Sequence, residues 1–290
     1  MWRIDYAKRG AVLQRSGGDM TTEAMATLCL SGELTNKLEA IARAGFEGVE
    51  IFVDDLQSSG LSPRAVGDRC RELGLTVVAL QPFRDVEALP PELQRKMLDE
   101  ARRHLDTLAD LGGDFLLACS STREEAANDH GRAAETLREL AELAAERELR
   151  VGFEALAWGR HVFDYRDAWE IVRQADHPAL SIVLDSYHIL ARELELETLA
   201  TIPGDRIGLV QLADSPWPRG QDLQALSRHR RAFPGDGELP IERFMTALER
   251  TGYQGPLSLE IFSDSLGVMP TGMAALQGKH ALESLLASRT

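Results

Sequence analysis

Long apolar runs are missing from this chain: nowhere do 18 consecutive apolar residues occur, which excludes a membrane-spanning helix. Cysteine is scarce and unpaired. Cys29, Cys70 and Cys119 share no CxxC spacing, so they read as buried free thiols in a reducing cytoplasm rather than as a disulfide frame. Positive charge is also short. With 32 Lys and Arg against 46 Asp and Glu, the net charge is −14, and so acidic a surface repels phosphate backbones. No basic patch offsets this; the densest run, Arg228–Arg231, falls in an expected active-site loop. Nucleic acid and membranes are therefore not expected partners, whereas a homo-oligomer stays open. Residues 1–24 carry Trp2, Arg3, Lys8, Arg9 and Arg15 without an apolar stretch of signal-peptide length. They read as an N-terminal extension, a tag remnant or an over-long start, ahead of a domain spanning 25–290.

What is present suits one large domain. The 290 residues are 44% hydrophobic and 27% charged, long enough to bury a sizeable core without metal or disulfide staples. Any metal is then expected to be catalytic. Eight short β-rich runs alternate with amphipathic stretches: Ala26–Leu30, Gly48–Phe52, Thr76–Leu80, Phe115–Cys119, Arg150–Phe153, Ser181–Leu184, Ile207–Gln211 and Leu257–Ile261. Most are continuously apolar, as parallel strands covered on both faces are. Between them Leu34, Leu38, Ile41 and Ala42 share a helical face, as do Leu137, Leu140, Ala141 and Ala144. Ser62-Pro63 has the form of an N-cap and first helical position. Gly45, Gly74, Gly112 and Gly252 each close a helical run just before a strand. Eight such units predict a single-domain (β/α)₈ barrel. A doubly wound open sheet is the alternative, but no GxGxxG follows the first strand.

Barrel enzymes place their chemistry at the carboxyl ends of the strands. Four successive strands end there on an oxygen donor: Glu154, Asp185, Gln211 and Glu260. Singly, each could be a rim-capping group. Together, three converging carboxylates repel unless a cation neutralises them, and this hard donor set favours Mg²⁺ or Mn²⁺ over Zn²⁺.

The stretches carrying these residues resemble a known family. Glu, Asp, His-or-Gln and Glu at the last four strand ends is the metal pattern of xylose-isomerase-like barrels. More narrowly, LSGELTNKLEAIARAGFEGVEIF, LQPFRDVE, FEALAWGRHV, RQADHPALSIVLDSYH, IPGDRIGLVQLAD, LSRHRRAFPGDGEL and GYQGPLSLEIFSD are similar to bacterial 3-dehydroshikimate dehydratases, from about Ala26 to Leu286. The resemblance implies metal-dependent loss of water from 3-dehydroshikimate to give protocatechuate, with Mg²⁺, Mn²⁺ or Co²⁺ as cofactor. Some members carry a dioxygenase-like domain after the barrel, and this chain is expected to be a single-domain form. The segment SPWPRGQDLQA before Ser227 departs from the pattern, as does the N-terminal extension.

Such a reaction needs a base, a Lewis acid and a partner for the substrate carboxylate. His188, three residues beyond Asp185, is the expected base, and the family's D-S-x-H motif implies the same. His161 is the second candidate for the base and for contact with substrate, or it orients Glu154. Arg84 and Arg231 are expected to hold the carboxylate, and the family's S-R-H-x-R motif implies that Ser227 and Arg231 touch substrate. Ser227 lies one helical turn before Arg231. Glu50 either bonds substrate hydroxyls or supports another side chain. Phe83, Trp158, Tyr187 and Phe262 either exclude water or cap the barrel. The rival enzyme is a sugar or inositol isomerase, epimerase or dehydratase of the same barrel class, which has no use for a carboxylate clamp. The endonuclease branch needs a His-rich zinc site, and seven scattered histidines do not supply one. A non-enzymatic binding barrel would have lost a ligand position, and all four are filled.

Overall fold

The computed structural model describes residues 21–289. Most of the expected 1–24 extension lies outside the described residues, while Glu23 and Ala24 already belong to the first strand. Eight strands, β1 (Glu23–Ala26), β2 (Gly48–Phe52), β3 (Thr76–Arg84), β4 (Phe115–Cys119), β5 (Arg150–Glu154), β6 (Leu180–Asp185), β7 (Ile207–Leu212) and β8 (Leu257–Leu259), run in parallel. They pair in sequence order, and β8 pairs back onto β1, closing a (β/α)₈ barrel as expected.

The elements form where their side chains can be buried. Leu34, Leu38 and Ile41 pack the inner face of the helix Leu34–Ala44, and Leu137, Leu140, Ala141 and Ala144 do so for His130–Ala145. Ser62 caps the helix Pro63–Glu72 by accepting from the Ala65 N–H. Gly45 and Gly112 end their helices at φ 93° and 76°, a conformation that costs glycine nothing. All three cysteines are buried and free, as expected.

The amino-terminal end of the barrel is filled by one ring. Phe115 opens β4 and packs with Ala79, Leu117, Val183 and Leu209. Gly152 on β5 and Gly208 on β7 make room for it, since a Cβ at either would collide with the Phe115 ring. The hydrophobic floor confines polar chemistry to the opposite end.

Three strands, β1, β3 and β8, differ from expectation by more than one residue at an end, and each difference places a functional group. β1 stops at Ala26 because Thr27–Cys29 turn into a 3₁₀ helix; Thr27 Oγ1 accepts from the Phe52 N–H at 3.1 Å, and Cys29 Sγ donates to the Leu259 carbonyl at 3.3 Å. β8 ends at Leu259, where the Ile261 N–H turns to Cys29 Sγ at 3.1 Å, so Glu260 follows the strand. β3 continues past Leu80 through a cis Gln81-Pro82 bond to Arg84.

The loops after β3, β4 and β5 are stitched together. Asp85 Oδ1 accepts from the Thr122 N–H at 2.8 Å and Glu87 Oε1 from the Ser121 N–H at 2.5 Å. The Arg160 N–H donates to the Ser121 carbonyl at 2.7 Å, and His161 Nε2 to the Ala126 carbonyl at 3.0 Å. Glu87 Oε2 is buried without a partner, beside a space of about 10 Å³ that His161 also lines, room for one water. Burial, reinforced by the Asp85 charge, pushes the Glu87 carboxyl up to about 8.

Two outcomes are expected. Gly152→Ala should cost about 1–3 kcal/mol by overpacking, read as a lower denaturant midpoint; an unchanged midpoint would mean that Phe115 moves freely. Glu87 keeps its proton to about pH 8 when folded but only to about 4.5 when unfolded. Its stabilising contribution is thus complete below pH 4.5 and lost as pH rises to 8. Glu87→Gln retains the acceptor and removes the titration, so its melting-temperature gain over the parent should grow between about pH 5 and about pH 8. A gain independent of pH would assign the titration to another group.

Candidate active site

Successive strands carry the expected oxygen donors to one end of the barrel. Glu154 ends β5, Asp185 ends β6 beside Gln211 of β7, and Glu260 follows β8; all four are buried. Glu50 of β2 joins them, fully buried. Amide and thiol donors are threaded between the carboxylates. Gln211 Nε2 donates to Glu50 Oε2 at 2.9 Å, Gln81 Nε2 to Glu260 Oε1 at 2.9 Å, and Cys119 Sγ to Glu154 Oε2 at 3.1 Å. Asp185 Oδ1 accepts from the Tyr187 N–H at 2.6 Å, capping the short helix Ser186–Leu190. Glu50 thus supports Gln211 in this structure.

Arg231 occupies the centre. Its Nη1 donates to Asp185 Oδ2 and to Glu260 Oε2, each at 2.8 Å, and its Nε to Ser227 Oγ at 3.0 Å. The guanidinium lies 4.6 Å from the Tyr187 ring centroid. Ser227 and Arg231 therefore come together as the one-turn spacing predicts, at the end of the helix Leu223–His229. The expectation that Arg231 is free to clamp a substrate carboxylate is not met here, because the protein's own carboxylates use it.

The electrostatics follow from this crowding. Burial, then the charges of Glu260 and Asp185, push the Glu154 carboxyl well above its usual range. Burial and Glu260 raise Glu50 to about 8. Burial opposes the Arg231 charge, yet Asp185 and Glu260 hold the guanidinium more firmly protonated than usual. Burial and the Arg231 charge lower His188 well below the ordinary imidazole value, so it is neutral at pH 7. Its Nε2 lies 3.7 Å from Glu154 Oε1 and 3.6 Å from Asp185 Oδ2. Donors face both ring nitrogens: the Ala157 N–H at Nδ1 (3.2 Å) and Arg231 Nη2 at Nε2 (3.3 Å). A neutral imidazole accepts from only one of them.

The donor set fits a hard dication. Glu154 Oε1 and Gln211 Oε1 are buried without a hydrogen-bond partner among the described residues, and such oxygens are what a divalent ion satisfies. Ligand atoms of Glu154, Asp185 and His188 lie within 4.8 Å of one another. Every carboxylate oxygen of Asp185 and Glu260 already has a donor, so a cation taking Asp185 Oδ2 or Glu260 Oε2 would displace Arg231 Nη1.

Above this layer the cavity narrows to about 10 Å³, lined by Glu154, His188, Arg231, Glu260, Arg84 and Trp158 among others. Outside it lies a cleft of about 370 Å³ between Phe52, Phe83, Met97 and His104. Pro82, Arg84 and Arg228 line both spaces. Trp158 and Tyr187 meet the His188 ring edge-on at 5.0 and 5.5 Å, whereas Phe83 faces the outer cleft. His161 lies elsewhere, bound to Ala126 beside Glu87; the turn after Ala157 carries it to the neighbouring loop, so it neither lines the cavity nor orients Glu154. Gln81, Cys119 and Arg228 were not singled out as site residues from the sequence: Cys119 was read only as a buried thiol, and Arg228 only as part of the basic run.

Comparison with known proteins places this geometry in context. The chain is 47% identical to a 3-dehydroshikimate dehydratase of Pseudomonas putida and 44% identical to one of Pseudomonas aeruginosa, in each case over 89% of this chain. It spans about 40% of the length of either relative. A solved xylose isomerase-like TIM barrel/4-hydroxyphenylpyruvate dioxygenase fusion protein superposes with a TM-score of 0.90 at 46% identity, covering 92% of this chain and 43% of that one. Residues 38–285 match the family described as xylose isomerase-like TIM barrel. That match runs from within the first helix after β1 to within the last helix of the barrel, and the chain belongs to the xylose isomerase-like TIM barrel family.

Proposed function

We propose that this chain is a metal-dependent dehydratase that converts 3-dehydroshikimate to protocatechuate and water. One observation carries the reading: the buried, partnerless Oε1 of Glu154 lines the same cavity as two arginines, Arg84 and Arg228, that bond no carboxylate among the described residues. A dication accounts for the first, and an anionic substrate for the second. The likeness to the two Pseudomonas dehydratases supports the same substrate.

Glu154, Asp185, Gln211 and Glu260 would hold the ion, with Mg²⁺ or Mn²⁺ preferred by the oxygen set and Co²⁺ an alternative. When bound, it supplies a Lewis acid for the developing enolate. Arg84 binds the substrate carboxylate, and Ser227 positions Arg231 through its hydroxyl. His188 takes the proton from the ring carbon activated by the ketone. The hydroxyl on the next ring carbon then leaves with that proton, returned by His188, as water, and a proton shift from the ring CH2 to the former ketone oxygen makes the ring aromatic. Acceptance at Nε2 requires the tautomer protonated at Nδ1, so the Ala157 N–H contact opens and Arg231 Nη2 draws back as substrate enters. The low proton affinity of His188 keeps it a free base at neutral pH and lets it release the proton readily.

The reaction is tested by following protocatechuate absorbance after mixing protein with 3-dehydroshikimate. Turnover should vanish with EDTA and return with Mg²⁺ or Mn²⁺; turnover that survives exhaustive chelation would sink the metal reading. Glu154→Ala should lose bound metal, measured by elemental analysis, and activity together. His188→Asn should keep its metal while kcat falls about 10²- to 10⁴-fold. Near-parental kcat would remove His188 from proton transfer.

A further inference from the structure

We infer that Arg228 is the second arm of an anion clamp with Arg84, and that this pair makes the site selective for a carboxylate-bearing ring. The ligand's identity rests on the dehydratase reading; the clamp rests on the arrangement of the arginines. Arg231, the arm expected from sequence, is held by Asp185 and Glu260. Arg84 at the end of β3 and Arg228 in the helix Leu223–His229 are half-buried. Among the described residues, neither side chain makes an ion pair or a hydrogen bond.

Two unneutralised guanidiniums at one cavity mouth repel each other, and the Arg84 charge, after burial, weakens the hold of Arg228 on its proton. Arg228 is retained there by aromatic faces. Its guanidinium carbon lies 5.1 Å from the Phe262 centroid and 5.9 Å from that of Trp158. Such contacts engage the flat face of the group and leave its N–H donors unused. A planar fork with unused donors suits a carboxylate, which it can bind through two parallel hydrogen bonds.

Position adds a second argument. Arg84 and Arg228 line both the outer cleft and the inner cavity with Glu154, His188 and Glu260. The inner space of about 10 Å³ is closed around Arg231, while the outer cleft of about 370 Å³ is within the size range of small-ligand sites. A ring carboxylate can thus be received in the cleft and kept on the same two arginines as its ring moves inward. The local charge also answers the net −14 of the chain, which otherwise repels an anionic ligand. Asp54 and Glu100 line the same cleft, so the arginine wall is where an anion is welcomed.

The test compares protocatechuate with 3,4-dihydroxybenzamide, the same ring with a neutral amide, by calorimetry on the Mn²⁺-loaded protein. The parent should bind the carboxylate more tightly than the amide. Arg228→Gln should weaken the carboxylate by roughly ten- to hundredfold and leave the amide within about twofold of parent. Arg228→Lys, which keeps the charge without the fork, should fall between. Arg230→Gln, an exposed neighbour, should alter neither ligand. Equal losses for both ligands would reduce Arg228 to a packing role against Trp158 and Phe262 and overturn the clamp, as would a parent that does not discriminate. A parent that discriminates as expected but forms no protocatechuate from 3-dehydroshikimate overturns the reaction and leaves the clamp standing.

Discussion

Four carboxylates share one water-poor end of the barrel, and the site is organised around making that tolerable. Glu50, Glu154, Asp185 and Glu260 are all buried, and whereas burying apolar groups stabilises a fold, burying like charges together opposes it. The structure answers with neutral donors and one cation. Gln81, Gln211 and Cys119 each donate to a carboxylate, and Arg231 bridges two. Two of the acids, Glu50 and Glu154, are held toward their protonated forms. The partnerless oxygens of Glu154 and Gln211 that remain are the points where the internal answer is incomplete.

The scaffold makes such crowding possible by being rigid elsewhere. Phe115, set between Gly152 and Gly208, fills the barrel's amino-terminal half with carbon, so the polar residues cannot relax downward. The loops after β3, β4 and β5 are bound to one another through Asp85, Glu87 and Arg160. Arg84 therefore stands on a strand end whose following loop is anchored. Catalytic groups held on rigid elements are positioned more precisely than groups on free loops.

Much of this was legible in sequence because it follows from burial. Strands covered on both faces must be apolar throughout, so a charged or amide residue closing such a run, as in Glu154, Asp185 and Gln211, declares itself. Long-range partnerships did not declare themselves. Gln81 sits before Pro82, which has no N–H to give a strand ladder, so the continuation of β3 through it was hidden and with it the bond to Glu260. Proximity along the chain also misled: His161 lies seven residues after Glu154 yet belongs to another loop, whereas Arg231 reaches Asp185 from 46 residues away. The resemblance to the dehydratase motif pointed to Arg231, but not to whether its partner would be the substrate or the protein.

That partnership has a consequence for how tightly the barrel can grip an ion. Arg231 is a tethered rival for the oxygens of Asp185 and Glu260, and a tethered group competes at an effective concentration on the order of millimolar or more. A cation taking those oxygens would be opposed by a competitor that no dilution removes, and its occupancy would follow the supply of free metal rather than stay permanently saturated.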